Sequence, residues 1–146
     1  MDTQSIIERK IFMDLKEFIN SHDVDYSSSL VSENKIAEFE NDMDVKIGNE
    51  LKQYILTYGY LGYKYIEFYG INSRQGSNSD MIKTTQYLHA YFEKTKHYIA
   101  LEDQGDGDYY LVDENDIVYR YLSSRDEITN TNISLFDYIM ERFCAA

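Results

Sequence analysis

HYIALEDQGDGDYYLVDENDIVYRYL, residues 97–122, decides the fold. Three runs dense in branched and aromatic residues (97–102, 108–112 and 117–122) are separated by QGDG and DEND. Gly, Asp and Asn are the residues that close tight hairpins. The chain contains no proline, so its turns rest on Gly, Asn, Asp and Ser. The simplest reading is a three-stranded antiparallel meander.

Downstream, Ser134 precedes Leu135, Phe136, Ile139, Met140 and Phe143, a helical stripe with Ser134 as its expected cap. Upstream, Met81, Thr84 or Thr85, Leu88 and Phe92 predict a helix over 81–92, preceded by an exposed loop, NSRQGSNSD, at 72–80. GYKYIEFYGI, residues 62–71, reads as one strand with Ile66 and Phe68 on one face and Tyr65, Glu67 and Tyr69 on the other.

Two short helices come before it. Ser32 caps the first, with Glu33 in its first turn and Ile36, Phe39 and Met43 as its stripe. The second starts near Gly48 or Asn49, buries Leu51, Tyr54, Ile55 and Tyr58, and stops at Gly59. An N-terminal amphipathic helix over about 4–20 carries Ile6, Ile7, Ile11, Leu15, Phe18 and Ile19, and the polar stretch SHDVDYSSS follows it. Helices, then strands, then a helix indicate an α+β fold with helices packed on a mainly antiparallel sheet. A length of 146 residues fits a single domain, 1–146.

Composition narrows the function. Fourteen Lys and Arg against 26 Asp and Glu leave a formal charge of −12. That charge repels the phosphate backbone and anionic lipid, so neither nucleic acid nor membrane is expected as a partner. A protein with a basic surface is the natural complement. The lone cysteine, Cys144, allows no internal disulfide. Charges interrupt the apolar N-terminal positions, unlike a signal peptide, so a cytoplasmic location is expected.

His22, His89 and His97 have no ligand-spaced partners, and the sequence reveals no positive pocket around Cys144 to activate it. QGDGDYYLVDEND falls out of step with a calcium loop. No catalytic residue, metal or cofactor is expected, which points away from an enzyme.

What stands out is charge. Glu102, Asp103, Asp106, Asp108, Asp113, Glu114 and Asp116 crowd one stretch that holds no Lys or Arg. They are either solvated hairpin ends that discourage edge aggregation or, with Tyr109, Tyr110, Tyr119 and Tyr121 beside them, a docking patch for a partner.

IAEFENDMDVKIGNELKQYILTYGYLG (36–62), IALEDQGDGDYYLVDENDIVYRYL (99–122) and the closing SLFDYIMERF (134–143) together resemble the SUKH superfamily, the Smi/Knr family. Ile36, Glu40, Met43, Ile47, Leu51, Tyr54, Ile55, Tyr58 and Gly59 fall on the first pattern. Ile99, Gly105, Asp106, Tyr110, Leu111, Asp113, Val118 and Tyr119 fall on the second. The resemblance spans about 32–143. The family commonly has Leu-Pro at the inter-helix turn where this chain has Ile47-Gly48, a change expected to weaken the second helix of the pair slightly.

The resemblance implies an intracellular immunity protein that neutralises a cognate bacterial toxin domain with a basic surface, such as a nuclease. The alternative it implies is a non-enzymatic scaffold or regulator. On the first reading, Glu102, Asp103, Asp106, Asp108, Tyr109, Asp113, Glu114 and Asp116 are the expected partner-binding residues.

Overall fold

A computed structural model describes residues 14–27, 31–71 and 80–146. Residues 14–21 are helical (α1); the expected earlier turns bearing Ile6, Ile7 and Ile11, and residues 72–79 of the expected loop, lie outside the described residues. There follow β1 (Asp25–Tyr26), α2 (Glu33–Met43), α3 (Asn49–Tyr58), β2 (Leu61–Tyr63), β3 (Ile66–Phe68) and α4 (Met81–Tyr91). The second half contains β4 (Ile99–Asp103), β5 (Asp108–Val112), β6 (Ile117–Leu122), β7 (Glu127–Ser134) and α5 (Leu135–Ala145). The expected α+β class is observed, as two antiparallel sheets ordered β1-β2-β3 and β4-β5-β6-β7.

The meander forms where the sequence places it, with two corrections around it. The stretch 62–71 is not one strand. The chain reverses at Lys64, which takes a φ of 54°, so that Leu61 pairs with Phe68 and Tyr63 with Ile66. A left-handed backbone at Lys is unfavourable, and it is offset by the burial of Leu61, Ile66 and Phe68 in the core. Tyr69, expected on the face of Tyr65 and Glu67, is buried, whereas Glu67 and Tyr65 face solvent.

The second correction is β7. EITNTNIS is polar and follows a 3-10 turn at Ser123–Arg125, so it carries no apolar alternation. It nonetheless pairs with β6 along its length, apart from a bulge opposite Val118 and Tyr119. There the Thr131 hydroxyl donates to the Val118 carbonyl at 2.6 Å and Asn132 takes a φ of 60°.

Strand alternation separates the two faces of the larger sheet. Tyr110 stacks on Tyr138 of α5, with ring centroids 5.3 Å apart. Tyr109 is paired with Tyr121, whose ring meets Phe92 just beyond α4. Helix α5 and the end of α4 therefore cover opposite faces. A backbone bond from Tyr69 N to the Leu101 carbonyl, 2.6 Å, joins the smaller sheet to β4. The fully buried Tyr54 of α3 donates to the Tyr69 carbonyl at 2.6 Å. Leu15 and Ile19 of α1 enter the same hydrophobic core as α3, α5 and the meander.

Helix starts show how distant parts are joined. Ser32 caps α2 as expected, accepting from Lys35 N at 3.1 Å. Glu40 reaches forward to accept from Ile47 N at 2.9 Å and closes the inter-helix turn. The start of α3 has no local side-chain cap, since Gly48 occupies the position. Instead Asp116, from the β5–β6 turn, accepts from Glu50 N and Leu51 N, both at 3.0 Å.

Glu50 in turn caps α5, accepting from Phe136 N at 3.0 Å, and the Asp116 carbonyl accepts from Leu135 N at 2.9 Å. The expected cap Ser134 is positioned at the helix start, but its hydroxyl bonds with the Asp137 carboxylate. Gly48 thus has a purpose that the turn comparison did not suggest: a Cβ there would lie 2.5 Å from the Asp116 carboxylate oxygens.

Asp116→Ala leaves two buried N–H groups without their acceptor and is expected to destabilise the fold by about 3 kcal/mol. Gly48→Ala, which drives the carboxylate out of position, is expected to cause a loss in the same direction. Urea denaturation followed by circular dichroism measures both. A loss below about 0.5 kcal/mol for Asp116→Ala would show that the cap is not a structural determinant.

Candidate partner-binding surface

The acidic run does not form one patch. β5 separates its two groups by about 14 Å of strand: Glu102, Asp103, Asp106 and Asp108 lie with Tyr109 at the β4–β5 end, while Asp113, Glu114 and Asp116 lie at the β5–β6 end.

Several of these carboxylates are engaged inside the fold. Glu102 is only 2% exposed. It accepts from the Tyr138 hydroxyl at 2.6 Å and forms an ion pair with Arg142 at 2.6 Å. Burial, then the Glu102 charge, pushes the Tyr138 phenol far up from its ordinary value of 10.0. Burial works against the Arg142 charge, but the hydrogen bond and field of Glu102 outweigh it and raise the guanidinium's pKa. Asp108 holds Arg120 in a two-pronged bond of 2.8 and 3.1 Å. Asp116, 6% exposed, is the cap described above.

Others shape the turns and still meet solvent. Asp103 accepts from Gly105 N at 2.7 Å, and Asp113 accepts from Asn115 N and Ile117 N, both at 2.9 Å. Asp106 takes a left-handed φ of 57° at the hairpin tip, where it is exposed, as is Glu114.

Each end of β5 opens on a groove. At the β4–β5 end a groove of about 450 Å³ is lined by Tyr65, Glu67, Tyr69, Asp103, Gln104 and Arg142, among others. At the opposite end a groove of about 520 Å³ lies between the α2–α3 turn and the β5–β6 turn, with Asp44, Lys46, His97, Tyr98, Asp113 and Glu114 in its wall. Both mix carboxylates with aromatic rings, the combination that suits a cationic side chain.

The histidines stay apart. His89 bonds through Nε2 to the Tyr98 carbonyl at 2.8 Å, His22 stacks on Phe18 at 3.8 Å, and His97 lies at the rim of the larger groove. Among the described residues no three His, Cys, Asp or Glu side chains are grouped to hold a metal ion. No helix among them is long and apolar enough to cross a membrane.

Sequence reasoning missed Glu50, Arg142 and Tyr138, whose roles depend on contacts across 36 to 86 residues. It also passed over Tyr87 and Tyr91. Their spacing of four residues on one side of a predicted helix was the available signal.

The sequence model of the SUKH_5 family, described as SMI1-KNR4 cell-wall, matches residues 8–144. Among solved structures, a protein from Pseudomonas syringae pv. tomato superposes with a TM-score of 0.68 at 16% identity, over 94% of this chain and 99% of that one. At that identity the likeness shows the fold. No curated protein matches the sequence.

Two outcomes follow from the buried groups. Arg142→Met strands the Glu102 carboxylate and is expected to destabilise by about 3 kcal/mol, with Arg142→Met/Glu102→Gln recovering part of the loss; urea melts of the two variants check this. Tyr54, Tyr69, Tyr121 and Tyr138 are all held above their ordinary value of 10.0, chiefly by burial. Their contribution to stability is complete below that pH and is lost as the pH rises from 10.0 toward their folded-state values, because only the unfolded chain ionises there. An alkaline titration should show a late rise in phenolate absorbance that coincides with loss of far-ultraviolet circular dichroism.

Proposed function

The chain belongs to the SMI1-KNR4 cell-wall family (SUKH_5), and from that premise we propose that it is a non-enzymatic intracellular immunity protein that binds and neutralises a cognate bacterial toxin domain. Family membership supports protein binding in general. The observation that carries the finer reading is the charge: a net −12, with exposed carboxylates at both ends of β5. A nuclease must be basic where it holds phosphate, and an acidic protein with aromatic anchors complements such a surface.

Within this proposal the residues divide by task. Asp103, Asp106, Asp108 and Tyr109 at one end, and Asp113 and Glu114 at the other, supply the contact. Glu102 and Asp116 hold those two ends in place from beneath. The family description, which refers to the cell wall, favours a scaffold or regulator as the second reading.

Co-expression with a toxin-like domain encoded beside the gene tests the function. Rescue of growth, with a complex that weakens as sodium chloride rises, is expected. Unrelieved toxicity without a complex, together with recovery of wall-synthesis or signalling proteins on the tagged chain, would favour the second reading. Asp106→Asn/Glu114→Gln is expected to slow association with the toxin domain roughly fivefold at low salt while leaving stability nearly unchanged. Stopped-flow mixing measures the rate.

A further inference from the structure

The outer side of α4 has a feature that the acidic turns do not explain. Tyr87 and Tyr91, one helical turn apart, are 47% and 73% exposed. Their ring centroids lie 5.1 Å apart with planes inclined by 45°. Exposed tyrosines of this kind carry large apolar area that solvent does not reward.

The surface continues onto the meander. Tyr87 also meets Phe92 at 6.1 Å. Tyr109 of β5 is half-buried, and its phenol pKa is raised first by burial, then by Asp103 and Tyr87 nearby. Asp103 is the register partner of Tyr109 on β4. Thr85 of α4 accepts from Ala100 N of β4 at 3.0 Å, which fixes the helix against this edge. The result is a floor of phenol rings with the Asp103 carboxylate at one side and Asp106 at the neighbouring hairpin tip.

The neighbouring cations are mostly committed elsewhere. Lys94 bonds to Asp126, Lys96 to Glu93, Arg120 to Asp108 and Arg142 to Glu102. Lys83 borders the surface, one turn before Tyr87 on the same stripe of α4.

We infer that Tyr87, Tyr91, Tyr109 and Asp103 form a recognition surface for an arginine-bearing segment of a protein partner. It rests on the protein-binding reading above and names the chemistry of the contact. A guanidinium stacks flat on phenol rings while its N–H groups reach a carboxylate, and it is more weakly hydrated than an ammonium. Lysine fits less well, because its compact charge keeps its water. The negative field of the chain draws such a segment in, and the rings select it at contact.

The test uses the full chain, labelled with nitrogen-15, and two synthetic peptides, Gly-Arg-Gly-Arg-Gly and Gly-Lys-Gly-Lys-Gly. Expected are amide shifts confined to 84–91, 103 and 109, with the arginine peptide binding roughly fivefold more tightly than the lysine peptide. Tyr87→Leu/Tyr91→Leu, at exposed positions, should keep the spectrum of a folded protein and lose that preference. Lys83→Glu should tighten binding. Equal response to both peptides, shifts spread over 113–116 as well, or no shift at all would overturn the inference.

The same variants separate this idea from the immunity reading. Toxin binding that survives loss of the two tyrosines places the contact elsewhere and overturns the inference alone. An arginine preference in a chain that binds no toxin keeps the surface and removes the toxin as its partner.

Discussion

Three peptide segments that are far apart in sequence meet at one residue. Asp116 sits in the β5–β6 turn, 66 residues from the α3 backbone that it caps. Helix starts expose N–H groups with no partner inside the helix and carry a partial positive charge. A carboxylate satisfies both deficits, and here the arrangement is chained: Asp116 caps α3, and Glu50 from the first turn of α3 caps α5. Two buried acids lie close together, and each faces a helix start. The meander, the helix pair and the C-terminal helix are thereby fixed to one another at a single point, and Gly48 leaves room for it.

A second tie holds the other end of α5. Glu102 on β4 collects Tyr138 and Arg142, one helical turn apart on α5. The two ties are unlike in kind. The first joins a carboxylate to backbone N–H groups and fixes where two helices begin. The second is an ion pair with a phenol added, and it fixes how α5 rotates about its axis, since Tyr138 must face Glu102 and stack on Tyr110 together. Buried ion pairs of this sort specify arrangement more than they add stability.

This explains what the sequence shows and what it hides. The meander was legible because Gly and Asp mark its turns and its strands are rich in branched and aromatic residues. β7 was not, because Thr and Asn at an edge satisfy the backbone of β6 without needing an apolar pattern. The β2–β3 reversal was not, because Lys64 and Tyr65 are unmarked as turn residues and only the burial of Leu61 with Ile66 and Phe68 selects the hairpin. Among the acids the limit is sharper. Asp106 and Asp116 are the same residue type ten positions apart, one exposed at a hairpin tip and one closing two helix starts. Spacing cannot tell them apart, because the difference lies in which distant backbone arrives above each.

Removing the committed carboxylates from the count still leaves a strongly acidic exterior. Glu102 and Asp108 are balanced by Arg142 and Arg120, so those pairs change neither the net charge nor the field at a distance. The unbalanced charge of −12 resides elsewhere and works against the compact state through self-repulsion. On the proposed reading a basic partner would relieve that repulsion as it binds, and so gain more from the whole surface than from any one contact. Such a field attracts every cation, and it does not choose among them. Selection has to come from groups with fixed geometry and little entropy to lose, and tyrosines on a rigid helix meet that requirement better than carboxylates on turns.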